Sequence, residues 1–199
     1  MTRMTALGFD ETLYPAGTHM CYIFNNDQER REVLAKFVGS GLETEEQVAY
    51  FVDTLSPEDL KKSLADLGVK LPESDQCMIL EAGKTYCPDG TFNVDRMLST
   101  LEDAHKQCCS AGFKGLRVTG EMNWALKGLP GSEHLIEYES RVTEVLQSTS
   151  VTAICQYDAR LFDGELLYEL MKVHPMMIVQ GRVIKNPYYV DYKGASPEH

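Results

Sequence analysis

Three groups of residues in this chain have types and spacings that could do chemistry. The first is His19 and Cys21, with Cys155 in a second apolar run. Side chains two apart on a strand share a face. An imidazole and thiols gathered there suit a soft metal ion or haem. The bland reading is a hydrogen-bonded histidine beside thiols that act as small hydrophobes. The second group is Glu121 and Trp124, the only tryptophan, which follow Leu116-Arg117-Val118-Thr119-Gly120. A carboxylate beside an indole can clasp a cation or a partly apolar molecule, provided a helical turn from Met122 puts both on one side. The competing reading packs Trp124 in the core and uses Glu121 as a cap. The third group is Tyr157, Asp158 and Arg160, where the alternative is a structural pair of Asp158 with Arg160 or Arg117.

These residues need elements to hold them. His19 to Phe24 is apolar at both alternating sets, which suits a strand covered on two faces. Asn25-Asn26-Asp27 then starts a helix that runs to about Val38. Gln47 to Asp53 reads as a second strand. Ser56-Pro57-Glu58-Asp59 is a strong helix start, with Leu60, Leu64 and Leu67 on its inner stripe. Cys77 to Leu80 is a third strand, followed by a turn-rich loop from Gly83 to Asn93 that holds Tyr86. The helix after Asn93 carries Val94, Met97, Leu98 and Leu101 at helical spacing. Leu116 to Thr119 and Val151 to Tyr157 are further strands, separated by a helix from Ser132 to about Gln147. A short helix from Phe162 to Lys172 leads into a hairpin at Met176 to Ile184. Residues 1–17 read as an irregular lead-in and 190–199 as a polar tail.

Strands alternating with helices imply an α/β fold of three layers, with a mostly parallel central sheet and helices on both faces. One domain is expected over 1–199. Ligands in such sheets bind beyond the carboxyl ends of the strands. That edge nominates Asn25 and Asn26, Asp53, Glu81, Ala82, Gly120 to Trp124, and Tyr157 to Arg160. The candidate ligand contacts are Asn25, Asn26, Tyr86, Arg117, Glu121 and Trp124, with Tyr157, Asp158 and Arg160 on the same rim. The candidate metal ligands are His19, Cys21 and Cys155.

A nucleotide hydrolase of this architecture needs glycines and a lysine after its first strand to cradle phosphates. Here that position reads Asn25-Asn26-Asp27-Gln28-Glu29-Arg30, with two acids and neither glycine nor lysine. No motif specifies a cofactor. The formal net charge of -11 disfavours nucleic acid and anionic membrane as direct partners. Hydrophobic residues at 43% and charged residues at 25% are ordinary for a water-soluble globule. No run approaches the roughly 18 apolar residues that span a bilayer, and the N-terminus lacks a secretion pattern. A cytoplasmic location is expected. The six cysteines form no C-x-x-C pair, and a disulfide framework is not expected.

Several stretches, in order, resemble the MEDS domain, the methanogen/methylotroph sensory domain named after a dichloromethane-responsive regulator. They are His19 to Phe24, Phe37 to Leu42, Leu116 to Leu126, Glu137-Tyr138-Glu139, Cys155 to Asp158, and His174-Pro175 through Tyr189. The resemblance implies a RecA/KaiC-like fold without its phosphate loop, used non-enzymatically to sense small hydrocarbon derivatives. Many members of that family are fused to DNA-binding or kinase-type output domains, for which 199 residues are expected to leave no room. Signalling through a partner protein or a homodimer is therefore expected. A haem- or metal-based redox sensor and a degenerate nucleotide-binding protein are the alternatives.

Overall fold

A computed structural model describes residues 3–191. The chain begins with two short strands, β1 (Met4–Ala6) and β2 (Leu13–Pro15), paired antiparallel. The main body then runs β3 (His19–Phe24), α1 (Asp27–Glu43), β4 (Gln47–Val52), α2 (Pro57–Asp66), β5 (Cys77–Glu81) and α3 (Ala82–Tyr86). It continues with α4 (Val94–Ser110), β6 (Leu116–Glu121), a 3-10 turn at Met122–Lys127, and α5 (Leu135–Thr149). It closes with β7 (Thr152–Asp158), α6 (Gly164–Val173) and the hairpin β8 (Met176–Val179) and β9 (Arg182–Lys185).

The sheet order is β5-β4-β6-β7-β3-β8-β9, parallel throughout except for the β8–β9 pair. Every residue of β4, β6 and β7 is buried, because both faces are covered by helices. The sheet divides the interior into two cores. On one face, Val33, Leu34 and Phe37 of α1 and Leu60 and Leu64 of α2 pack on Met20, Tyr22, Val48 and Tyr50. On the other, α4, α5 and α6 pack Met97, Leu101, Leu135, Val142 and Leu170 on Cys21, Ala49, Val118, Cys155 and Tyr157. Helix starts follow their capping residues. Asn26 accepts from the N–H groups of Gln28 and Glu29, Ser56 from Asp59, and Asn93 from Arg96.

The structure departs from the sequence expectations in two segments. The stretch expected to be an irregular lead-in forms the β1–β2 hairpin, whose strands of three residues are too short to show a period. It is tied down by Arg117, whose Nη2 donates to Thr5 Oγ1 at 2.8 Å and whose Nη1 donates to Phe37 O at 3.0 Å. The stretch expected to be a loop from Gly83 opens with α3, which buries Ala82 and Tyr86. The polar tail lies almost wholly outside the described residues.

Candidate functional site

Two buried polar centres lie back to back across the sheet. The first is beneath α1. Glu121, the last residue of β6, is only 2% exposed. Its Oε1 pairs with Arg30 Nη1 at 3.0 Å, and its Oε2 accepts from the backbone N–H groups of Asp53 at 2.9 Å and Thr54 at 2.7 Å. Gln156 Oε1 accepts from Arg30 at 3.3 Å, while its amide donates to Thr119 Oγ1 at 2.9 Å. All of Glu121's acceptor sites on this network face protein donors, so its main task here is to fasten the carboxyl end of β6 to β4 and α1.

Glu121 and Trp124 do not share a side. Glu121 enters the α1 core, whereas the 3-10 turn carries Trp124 into the opposite one. There Trp124 is fully buried, stacked on Tyr86 at 4.8 Å between ring centroids and against Phe92 at 4.6 Å. Tyr138 closes the group edge-on to Tyr86 and Phe92. Trp124 Nε1 is buried with no hydrogen-bond acceptor among the described residues. An orphaned N–H of this kind is uncommon in a folded interior.

The rim residues are tied to one another. Asn25 is exposed and Asn26 is spent on the α1 cap. Arg160 binds Asp158 through Nε at 2.8 Å and Nη2 at 2.7 Å, and reaches Asp27 at 2.8 Å. The Arg160 guanidinium holds both carboxyls below their ordinary values, against the opposing effect of burial. Of the two pairings open to Asp158, the structure thus makes the one with Arg160. Arg117 belongs to the opposite end. It is the second residue of β6, fully buried, and ion-paired with Glu46. A strand's amino end cannot reach the carboxyl rim, so the expected ligand contact becomes an anchor for β1 and α1. Clefts of about 530 Å³, lined by Gln28, Arg31, Asp59 and Lys62, and about 400 Å³, lined by Gly8, Lys36, Glu43 and Lys70, open on the α1–α2 side, away from Trp124.

The second polar centre is on the Trp124 side. His19 and Cys155 meet there, with His19 Nε2 3.4 Å from Cys155 Sγ. Glu139 of α5 and His174 after α6 complete the group, and all four side chains are buried. Glu139 Oε2 lies 3.2 Å from His19 Nε2, 3.3 Å from His174 Nε2 and 3.6 Å from Cys155 Sγ. Its other oxygen accepts from Tyr157 Oη at 2.7 Å. The expected contact Tyr157 is therefore an inner residue of this centre, fully buried rather than on the rim. Cys21 is opposite Cys155 in the β3–β7 register but outside the group of four.

Burial, with His174 alongside, pushes the His19 imidazole down to about 4, so it is neutral near pH 7. Burial alone would raise the Glu139 carboxyl, but His174 and His19 outweigh it and hold the group below its ordinary value. Burial, reinforced by Glu139, raises the Cys155 thiol well above its usual range. Glu139 and His174 were not nominated from sequence. The available signal for Glu139 was an acid on the inner stripe of α5, between Leu135 and Val142.

The profile of the family described as MEDS: MEthanogen/methylotroph, DcmR Sensory domain matches residues 18–175. The transcriptional repressor DcmR of Methylorubrum extorquens (strain DSM 6343 / CIP 106787 / DM4) is 28% identical over 96 residues, which make up 48% of this chain and 36% of that repressor. Among solved structures, a KaiC-like protein from the hyperthermophilic archaeon Pyrococcus horikoshii OT3 superposes with a TM-score of 0.64 at 17% identity, covering 89% of this chain and 80% of that one. The flagellar accessory protein FlaH from Methanocaldococcus jannaschii gives a TM-score of 0.63 at 10% identity, over 92% of this chain and 84% of that one. Identities this low carry the fold alone. The described helices include none long and apolar enough to cross a membrane.

Proposed function

The chain belongs to the MEDS sensory-domain family, and from that premise we propose that it is a non-enzymatic sensor holding a small, weakly polar organic molecule against Trp124. The observation that carries this reading is the indole N–H with no acceptor among the described residues, set in walls made by Tyr86, Phe92 and Tyr138. A short-chain alcohol or haloalkane would supply that N–H with an oxygen or halogen acceptor on an apolar body, in space that a local opening of these walls creates. Entry needs a local opening of the 3-10 turn or the segment after α3, since the indole is sealed in this state. In this reading Asn26, Asp158 and Arg160 fasten the rim, and neither they nor the exposed Asn25 contacts the guest. Output passes to a regulatory partner protein or a second copy of the chain.

Nucleotide chemistry has little support at the edge where a phosphate loop would lie. The N-terminus of α1, the natural anion seat of such folds, is already capped by the Asn26 side chain and carries Asp27.

Trp124 is the only tryptophan, so its emission reports this site alone. Titration with short-chain alcohols and haloalkanes should shift that emission saturably, and calorimetry should show Trp124→Phe folded with weakened binding. A Trp124→Phe variant that binds as tightly as the wild type would overturn the assignment. So would calorimetric binding of millimolar ATP, which would put the site at the α1 edge.

A further inference from the structure

We propose that His19, Glu139, Cys155 and His174 form a closed, tetrahedral site for a zinc-class divalent metal ion. Bonds of about 2.0–2.3 Å from zinc to nitrogen, oxygen and sulfur put tetrahedral ligand atoms roughly 3.3–3.7 Å apart. Four of the separations here are 3.2, 3.3, 3.4 and 3.6 Å. The other two, between His174 and the His19 and Cys155 atoms, lie within 4.8 Å. Closure on an ion therefore asks mainly for a small inward movement of His174.

The outer atoms of the ligands are already held in the way metal ligands are held. His174 Nδ1 faces Leu170 O at 2.7 Å, and a carbonyl can only accept, so the proton sits on Nδ1. In the neutral ring that leaves the His174 Nε2 lone pair pointing inward. It is buried, has no hydrogen bond, and faces the Glu139 carboxylate at 3.3 Å. Two lone pairs at that distance repel unless a proton or a cation lies between them. His19 Nδ1 meets Thr143 Oγ1 at 2.9 Å, and the hydroxyl can accept from it, freeing Nε2. Tyr157 takes up Glu139 Oε1 and leaves Oε2 for the ion.

The charges also balance. Cys155 releases its thiol proton to solvent as the ion binds. A dication, one carboxylate, one thiolate and two neutral imidazoles then sum to zero. A buried centre of zero net charge escapes most of the desolvation cost of an isolated ion. This inference does not depend on the organic guest proposed above.

The test is to unfold untagged protein in guanidinium with a chelator and refold it with one equivalent of cobalt(II). The expected result is the visible absorption of tetrahedral cobalt, a near-ultraviolet thiolate-to-cobalt band, and a melting temperature above that of the metal-free protein. Zinc should displace the colour. Cys155→Ser should lose the thiolate band. Thr143→Ala, which removes only a supporting hydroxyl, should weaken affinity by about 10- to 100-fold. Cys109 and His105, an exposed pair 3.6 Å apart on α4, are the competing donors, and Cys109→Ser should leave the spectrum unchanged. Absence of the tetrahedral spectrum in the wild type would overturn the site. So would a thiolate band that survives Cys155→Ser or vanishes in Cys109→Ser. If Cys155→Ser fails to fold, the wild-type spectrum, its melting shift and Thr143→Ala decide the matter.

Discussion

Arg30 Nη1 and Glu121 Oε1 lie 3.0 Å apart in the interior between α1 and β6. Removing one partner leaves the other charged, buried and unmatched, which typically costs about 3–5 kcal/mol. Glu121→Ala also orphans the backbone N–H groups of Asp53 and Thr54. Its urea midpoint should fall accordingly. An unchanged midpoint would mean the network contributes no net stability.

The Arg160 contacts with Asp158 and Asp27 predict an acid-dependent loss of stability. Both carboxyls have folded values below their ordinary ones. Their contribution is therefore present above the unfolded carboxylate value of about 3.9, and it is lost as pH falls through the folded values. Arg160→Ala should lower the melting temperature at neutral pH, with the gap to wild type closing in the acid range. A gap that stays constant across that range would assign the effect to something other than these carboxylates.

Gly120 is packed under the Tyr86 ring, and a Cβ there would collide with the Tyr86 hydroxyl. Tyr86 cannot swing aside, because it is stacked on Trp124 and edged by Phe51 and Tyr138. Gly120→Ala should destabilise by about 1–3 kcal/mol, as overpacking does, and should also move the emission of Trp124. A stable variant with unaltered emission would show that the aromatic group has room to spare.

Tyr157→Phe removes the 2.7 Å hydrogen bond to Glu139 Oε1 while keeping the ring. A hydrogen bond to a charged acceptor contributes about 1.5–3 kcal/mol. Chemical denaturation should show a loss in that range. A neutral substitution would mean that Glu139 finds another donor.

Much of the architecture could be read from the chain because β3, β4, β6 and β7 are apolar on both faces and the helices between them carry clear stripes and caps. The meeting of His19 with Cys155 was legible for the same reason, as both sit on strands. Their partners were not. Glu139 comes from a helix, where only a three-dimensional fold says that its neighbour is a histidine 120 positions earlier. His174 reads as a turn residue beside Pro175. Glu121 and Trp124 look like companions at a spacing of three, yet the strand ends between them and sends each to a different core. Arg117 sits in the right strand but at its wrong end for the rim. The hairpin of β1 and β2 shows no periodic signal because each strand has only three residues, and its anchor, Arg117, lies more than a hundred positions away.

Alternation along β7 gives Cys155 and Tyr157 to one chamber and Gln156, between them, to the other. One backbone thus carries both sets of contacts. A displacement of β7 along its axis would carry Cys155 and Gln156 together, so the contacts beside α5 and those beneath α1 share one mechanical support.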